Sequence, residues 1–496
     1  MRFLSTLLAS ILGTLIAIAF LFALFFFFIV IVSVSVDNVP AVQSGSILVL
    51  EASGDYPDLA ADDPFLRLAT GASPQDLNRF RTNLRKAAAD ERIAGVWLRV
   101  GDLASSWATL QEMRQALLEF RDSGKPLYAS APGFYLDEAG YFLASTADSV
   151  FLSPEGLFEF NGFHITAEFY ASLLDKLSIE PQVVRAGEFK SAVEPFTRTD
   201  LSPENRAQLE ALLSDWNAVF TSAVAERRNL TPARVQELTS GGQIMTSADA
   251  LEAGLVDGLL YPDQIEDAFR TRLGFDPQED LEIIYGSDYG YVPPDQAGIT
   301  IGNAGEIAIV YASGTMTSGE SGVDPGLLFS GVTVGSETFA DAMNEARESD
   351  NVDAIVVRID SPGGYTPAAD EMWHAVRRAA EVKPVIVSMG GYAASGGYWL
   401  ATAADTIVAD PLTLTGSIGV FSIFFDAGDL FEDRLGITFD GVSTSPYADM
   451  FSGIRPLSPA ERALLERSTQ ETYRTFLTRV AESRGMSVEA VDSIAQ

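Results

Sequence analysis

A chain of 496 residues is too long for one hydrophobic core, and two domains are expected. Acidic residues outnumber basic ones 68 to 33, and the net charge of −35 argues against nucleic acid as a partner, because that needs basic surface. With no cysteine and two distant histidines, His164 and His374, the chain offers no thiol nucleophile, disulfide or Cys/His metal site, and no metal or cofactor is called for.

In chain order, residues 3–36 carry no charge and 7–32 are nearly all apolar, including FALFFFFIVIV. About 20 such residues cross a bilayer. A cleavable leader has a shorter apolar region and a small-x-small site, so residues 1–37 are expected to be a retained transmembrane anchor. Arg2 before the run and Asp37 after it orient the N-terminus to the cytoplasm and the bulk outside.

The remainder contains itself twice. YFLASTADSVFLSPEGLFEFNGF from Tyr141 returns as YWLATAADTIVADPLTLTGSIGVF from Tyr398, an offset of 257. GSILVLEASGDY from Gly45 resembles GEIAIVYASGTM from Gly305, and GKPLYAS answers VKPVIVS. In each copy short apolar runs (ILVLEA, GVWLRV, PLYAS, SVFLS; IAIVYA, AIVVRI, PVIVSM, TIVAD) alternate with amphipathic stretches, which predicts an α/β layer with a largely parallel sheet. Each copy then opens a long helix with Ser-Pro, at Ser202 and Ser458, a capping residue followed by proline at the first helical position. A Gly/Pro-rich stretch separates the copies. The expected domains are a first repeat at 42–290, a linker at 291–304 and a second repeat at 305–496. The first copy continues through GGQIMTSADALEAGLVDGLLYPDQIEDAF, whereas the second stops at VDSIAQ and reads as cut short.

The differences between the copies carry the chemistry. Ser395, in YAASGGYWLATAAD, lies among residues with almost no side chain and just before a helical run, where a substrate backbone can come close. The first copy has Glu138 there. Thr415-Gly416-Ser417 becomes Phe158-Glu159-Phe160, and DSPGG at 360–364 has no Gly-Gly counterpart. A serine nucleophile needs a base, and the chain has five lysines. Lys125 and Lys383 match each other before a strand and read as structural, while Lys86 and Lys176 lie in polar helical settings and are expected to be solvated. Lys190, in RAGEFKSAVEPF, follows a strand-like run and has a tyrosine or proline opposite it in the second copy, near Tyr447.

This split is the pattern of a Ser/Lys dyad. A lysine with the ordinary pKa of about 10.4 is a poor base at neutral pH, so burial must lower it toward roughly 7 to 8. Ser417 can help by hydrogen bonding to the neutral amine. Glu188 and Glu194 must point away, or they would raise the pKa. Backbone N–H groups at Gly363 and Gly364 are candidates to hold an oxyanion. His164 and His374 read as structural, and the apolar runs LLFSGV (327–332) and FSIFF (421–425) as core or as a cleft for apolar peptides.

RIDSPGG, YAASGGYWLATAAD and LTGSIGV, with GEFKSAVEPF in a degenerate first copy, resemble the long, duplicated signal peptide peptidase A family, from about Val42 to the end. The resemblance implies a tandem duplication of a Clp-protease/crotonase-like αββ-type domain behind one transmembrane helix. It assigns Ser395 as nucleophile, Lys190 as general base, Ser417 as the residue that orients the lysine, and Gly363 or Gly364 as oxyanion donors. It further implies a serine endopeptidase that cleaves leftover signal peptides and other apolar peptides. The setting would be the bacterial cytoplasmic membrane, with the bulk extracytoplasmic and a homotetramer as the assembly. A crotonase-like acyl-CoA enzyme and a non-catalytic membrane scaffold are the competing readings.

Overall fold

The computed structural model describes residues 11–26, 39–60, 75–131, 133, 135–242, 244–300, 302, 305–324 and 331–496. Residues 11–26 of the expected anchor form a helix with exposed apolar side chains, and the rest of 1–37 lies outside the described residues. Among the described residues no helix is long and apolar enough to cross a membrane.

Two compact units divide the chain, and the division does not follow the repeat boundary. The first comprises Met1–Ser105, Glu112–Phe160 and Gln243–Gly302; the second comprises Ser106–Gln111, Asn161–Gly242 and Asn303–Gln496. The stretch that carries Lys190 therefore folds with the second unit, although in sequence it belongs to the first repeat.

The first unit is built on a six-stranded parallel sheet, in the order Gly258–Leu259, Ser149–Leu152, Leu127–Ala131, Ile93–Leu103, Ser46–Gly54, Ile283–Tyr285. The central strands are apolar on both faces because both are covered, as the fully buried Leu127–Ala131 illustrates. The helices Leu77–Ala89 and Glu138–Ala144 pack on one face and Pro262–Leu273 on the other.

In the second unit Glu306–Ser313, Val352–Ser361, Val385–Ala394 and Thr406–Val408 form a parallel sheet, and Leu414–Gly416 pairs with the end of Val385–Ala394. Val310, Ile355, Val357, Val385 and Val387 pack on one face against Phe339, Met343, Met372 and Val376 of the helices Ser336–Glu348 and Thr366–Ala380. An antiparallel ribbon joins Glu180–Ala186 to Val420–Asp426.

The Ser-Pro signals mark two helices of equal length, Pro203–Arg228 and Pro459–Arg484. Ser202 and Ser458 accept the N–H of Asn205 and Glu461 in turn, and both helices end on a left-handed residue, Asn229 or Gly485. The matched lysines are also equivalent in structure. Lys125 Nζ donates to the carbonyls of Ala87 and Asp90, and Lys383 Nζ to those of Ala346 and Ser349, so each ammonium caps the carbonyl end of a preceding helix.

Lys86 departs from expectation. It is not solvated but 1% exposed, with Nζ donating to the carbonyls of Tyr289 (2.7 Å) and Val292 (3.0 Å) and lying 4.6 Å from the centre of the Tyr289 ring. The Gly/Pro-rich stretch supplies those carbonyls. Val292 and Ala297 of the expected linker are buried in the first unit together with the preceding Tyr289, so part of what reads as linker is a strap, held by Lys86 and by Arg92 Nη2 on the Gln296 carbonyl (2.9 Å).

Candidate active site

The site lies within the second unit, at the end of the Val385–Ala394 strand. Tyr392, Ala393 and Ala394 pair with Leu414, Thr415 and Gly416, and the Ser395 N–H donates to the Gly416 carbonyl at 2.9 Å. That register sets Ser395 beside Ser417. At Ser395 the chain turns sharply into the helix Gly396–Ala401, with φ 53° and ψ −115°, a conformation that costs a non-glycine residue about 1–3 kcal/mol. Small neighbours make the turn possible. A Cβ on Gly397 would stand 2.8 Å from the Ser361 carbonyl oxygen.

Lys190 arrives from the other side. After the Glu180–Ala186 strand the chain turns at Gly187, and the paired strand brings Gly419 against it. A Cβ at Gly419 would lie 2.9 Å from the Ala186 carbonyl oxygen and 3.1 Å from Lys190 Cδ, so this glycine makes room for the lysine stem. Lys190 is 7% exposed, and its Nζ lies 3.1 Å from Ser395 Oγ, 2.9 Å from Ser417 Oγ and 3.0 Å from the Ser417 carbonyl oxygen. Ser417 has φ 49°, and both its oxygens lie within hydrogen-bonding reach of the amine.

Burial alone lowers the Lys190 pKa to about 8. Of the two neighbouring carboxylates that could oppose this, Glu188 is exposed and Glu194 is held elsewhere. Glu194 is buried and accepts from Ser202 Oγ (2.5 Å), the Ser202 N–H (3.2 Å) and Asn205 Nδ2 (3.0 Å). Burial pushes the Glu194 carboxyl up, but these hydrogen bonds outweigh it and leave the pKa lowered.

The two glycines differ in their contacts. The Gly363 N–H donates to Ser361 Oγ at 3.1 Å, and Ser361 Oγ in turn donates to the Gly314 carbonyl at 2.6 Å. A Cβ on Gly363 would stand 2.9 Å from Ser395 Cβ. Gly364 instead lines a cavity of about 80 Å³ together with Ser395, Gly396, Trp399, Phe421 and Phe476. No Cβ fits at Gly364, because it would meet the Met316 carbonyl oxygen at 2.2 Å. Gly396 opens a helix, so its N–H has no partner within that helix. Ser361, Gly396 and Met316 are given no role by the sequence reading. Ser361 lies inside the DSPGG motif and Gly396 directly follows the serine, so both were within reach; Met316 acts through its backbone and leaves no motif.

Of the apolar runs, Phe421 reaches the cavity, while 327–330 lie outside the described residues. His164 and His374 are exposed and line no part of the cavity. In the first unit Glu138 begins a helix, and Phe158 and Phe160 are fully buried, stacked with ring centres 5.5 Å apart. Aromatic packing there occupies what TGS opens in the second copy.

The molecule is thus a duplicated α/β protein whose parallel sheet ends in a serine hydrogen-bonded to a buried lysine. The sequence model of Peptidase family S49 matches residues 119–274 and 377–496, two segments spaced as the repeats are. Over 426 residues the chain is 36% identical to Protease 4 of Salmonella typhi, covering 83% of this chain and 66% of that protein. Over 458 residues it is 34% identical to the chloroplastic serine protease SPPA of Arabidopsis thaliana, covering 92% and 65%. It is 31% identical over 429 residues to Protease 4 of Haemophilus influenzae, covering 83% and 66%. The chain belongs to peptidase family S49 and spans just under two thirds of the length of these relatives.

Proposed function

We propose that the chain is a serine endopeptidase working through a Ser395/Lys190 dyad. The observation that carries this reading is the 3.1 Å approach of a buried lysine amine, with its pKa lowered to about 8, to the hydroxyl of a serine held in a strained turn. As neutral amine, Lys190 takes the Ser395 proton while Oγ attacks the substrate carbonyl carbon. Negative charge develops on the carbonyl oxygen, and the N–H groups of Gly364 and Gly396 are the donors proposed to hold it, with Gly363 keeping the approach clear. The Lys190 ammonium then protonates the leaving amine, and an acyl-enzyme on Ser395 remains. Lys190 next takes a proton from water as the water attacks the ester carbonyl carbon, and the ammonium returns that proton to Oγ as the ester C–O bond breaks, releasing the acid product and free Ser395. Ser417 orients the amine through both its oxygens.

The substrates proposed are leftover signal peptides and other apolar peptides, for which Trp399, Phe421 and Phe476 provide an apolar wall. The finer features follow the family resemblance: a Clp-protease/crotonase-like fold in each repeat and a membrane anchor within residues 1–37. An extracytoplasmic catalytic portion and a homotetramer belong to the same reading. The test is hydrolysis of a synthetic signal peptide by detergent-solubilised chain. Ser395→Ala and Lys190→Ala are expected to lose at least about 1,000-fold in kcat. Retention of most activity by Lys190→Ala would remove the dyad.

A further inference from the structure

The first unit holds a cavity that the chemistry at Ser395 does not use. Its volume is about 70 Å³, room for several waters or one amino-acid-sized group. It lies between the strand Ser46–Gly54, the helix Leu77–Ala89 and the residues Tyr285, Gly286 and Ser287. Val49, Leu50 and Phe80 give it an apolar wall, and Phe80 packs edge-on against Tyr56 with ring centres 5.8 Å apart. Arg79 and Asn83 also line it, four residues apart and so on one face of their helix.

Asn83 is 3% exposed, and its Nδ2 donates to the Gly286 carbonyl at 3.0 Å. That bond fixes which end of the amide is oxygen. Among the described residues Asn83 Oδ1 has no hydrogen-bond partner, whereas buried acceptors are as a rule satisfied. Helix packing does not demand these polar residues. Phe80, Leu84 and Ala87 recur as Phe339, Met343 and Ala346 on the helix Ser336–Glu348, an offset of 339 − 80 = 259, yet Arg79 and Asn83 fall on Thr338 and Ala342.

The charges around the cavity favour an anion. The Arg79 guanidinium lies 5.1 Å from the centre of the Tyr291 ring, which steadies it. Both carboxylates that line the cavity are engaged: Asp76 Oδ1 accepts the Arg79 backbone N–H at 2.6 Å as a helix cap, and Glu51 pairs with Arg99 at 3.0 Å. An unmet acceptor, a guanidinium and an apolar wall therefore meet in one small space.

We propose that this cavity binds the C-terminal end of an apolar peptide. The last backbone N–H of the peptide donates to Asn83 Oδ1, its carboxylate takes the Arg79 guanidinium, and its terminal side chain rests on Val49, Leu50 and Phe80. In such a peptide the carboxylate carbon stands two bonds from that nitrogen, so residues one helical turn apart can meet both groups. An amine would set a cation against Arg79, and an acid without an N–H would leave Oδ1 unmet.

The test uses the detergent-solubilised 496-residue chain and two probes, N-acetyl-alanyl-leucine and its C-terminal amide, compared by titration calorimetry. The acid is expected to bind at least about tenfold more tightly than the amide. It should also slow hydrogen–deuterium exchange in Leu77–Ala89 and Ile283–Tyr285. Arg79→Gln should weaken the acid at least about tenfold and spare the amide, while Asn83→Leu, which removes the acceptor at similar volume, should weaken both. The two probes on the unaltered chain decide the matter even where a variant folds poorly. Equal affinity for acid and amide, protection confined to the segments around Ser395, or no binding of the acid overturns the proposal. None of these readouts depends on turnover at Ser395, so the proposal stands or falls apart from the dyad.

Discussion

The depressed pKa of Lys190 makes the pH dependence of the reaction a quantitative test. Lowering from 10.5 to about 8 corresponds to about 3 kcal/mol of penalty on the charged amine, caused by burial. At pH 7 roughly one molecule in ten then holds the neutral base, and at pH 9 roughly nine in ten. Measured as kcat/KM on an internally quenched apolar peptide, activity should rise about tenfold between pH 7 and 9 and level off above. An ordinary lysine would be neutral in only about one molecule in 3,000 at pH 7, and activity would climb about 100-fold over the same interval without a plateau. That unbroken climb would refute the argument that burial prepares this amine.

The same shift makes a stability prediction with the opposite benefit. Below pH 8 the amine is protonated in both folded and unfolded chains, so the folded state bears the full cost of burying the charge. That cost falls as pH rises from about 8 to 10.5, where only the unfolded chain still binds the proton. Lys190→Met should therefore abolish activity yet stabilise the protein by about 1–3 kcal/mol at pH 7, an advantage that disappears near pH 10.5 in denaturant titrations. Ser417→Ala should leave the fold intact, lower kcat by about tenfold or more and displace the midpoint of the pH profile, because the amine loses one of its two anchors on that residue. Gly364→Ala should lower kcat at least about 100-fold, since the new methyl meets the Met316 carbonyl and shifts the loop proposed to hold the oxyanion; unchanged kcat would exclude this loop from the reaction.

How much of this was legible in the sequence depends on the range of the interaction. The Ser-Pro caps announced both long helices, because a cap is settled within four residues. The apolar runs gave the parallel strands for the same reason. Comparison of the copies isolated Ser395, Lys190 and Ser417, whereas their meeting depends on the pairing of Glu180–Ala186 with Val420–Asp426, a contact some 240 residues long that no local signal encodes. Lys86 was misjudged because its partners are carbonyls, which carry no side-chain signature. The different contacts of Gly363 and Gly364 are out of reach for a similar reason: Ser361 claims one of two adjacent amides, and only the folded turn shows which. Glu194 was flagged as a threat to the lysine, and Ser202, already noted as a helix cap, removes it.

The central claim is that Ser395 acts as a nucleophile because Lys190 deprotonates it. Mass spectrometry after treatment with a serine-directed fluorophosphonate tests this directly, comparing the parent chain with Lys190→Met at pH 8. The account predicts a single adduct on the peptide containing Ser395, forming at least about 100-fold more slowly in the variant. An adduct on another serine, or equal rates at Ser395 in both proteins, would contradict it.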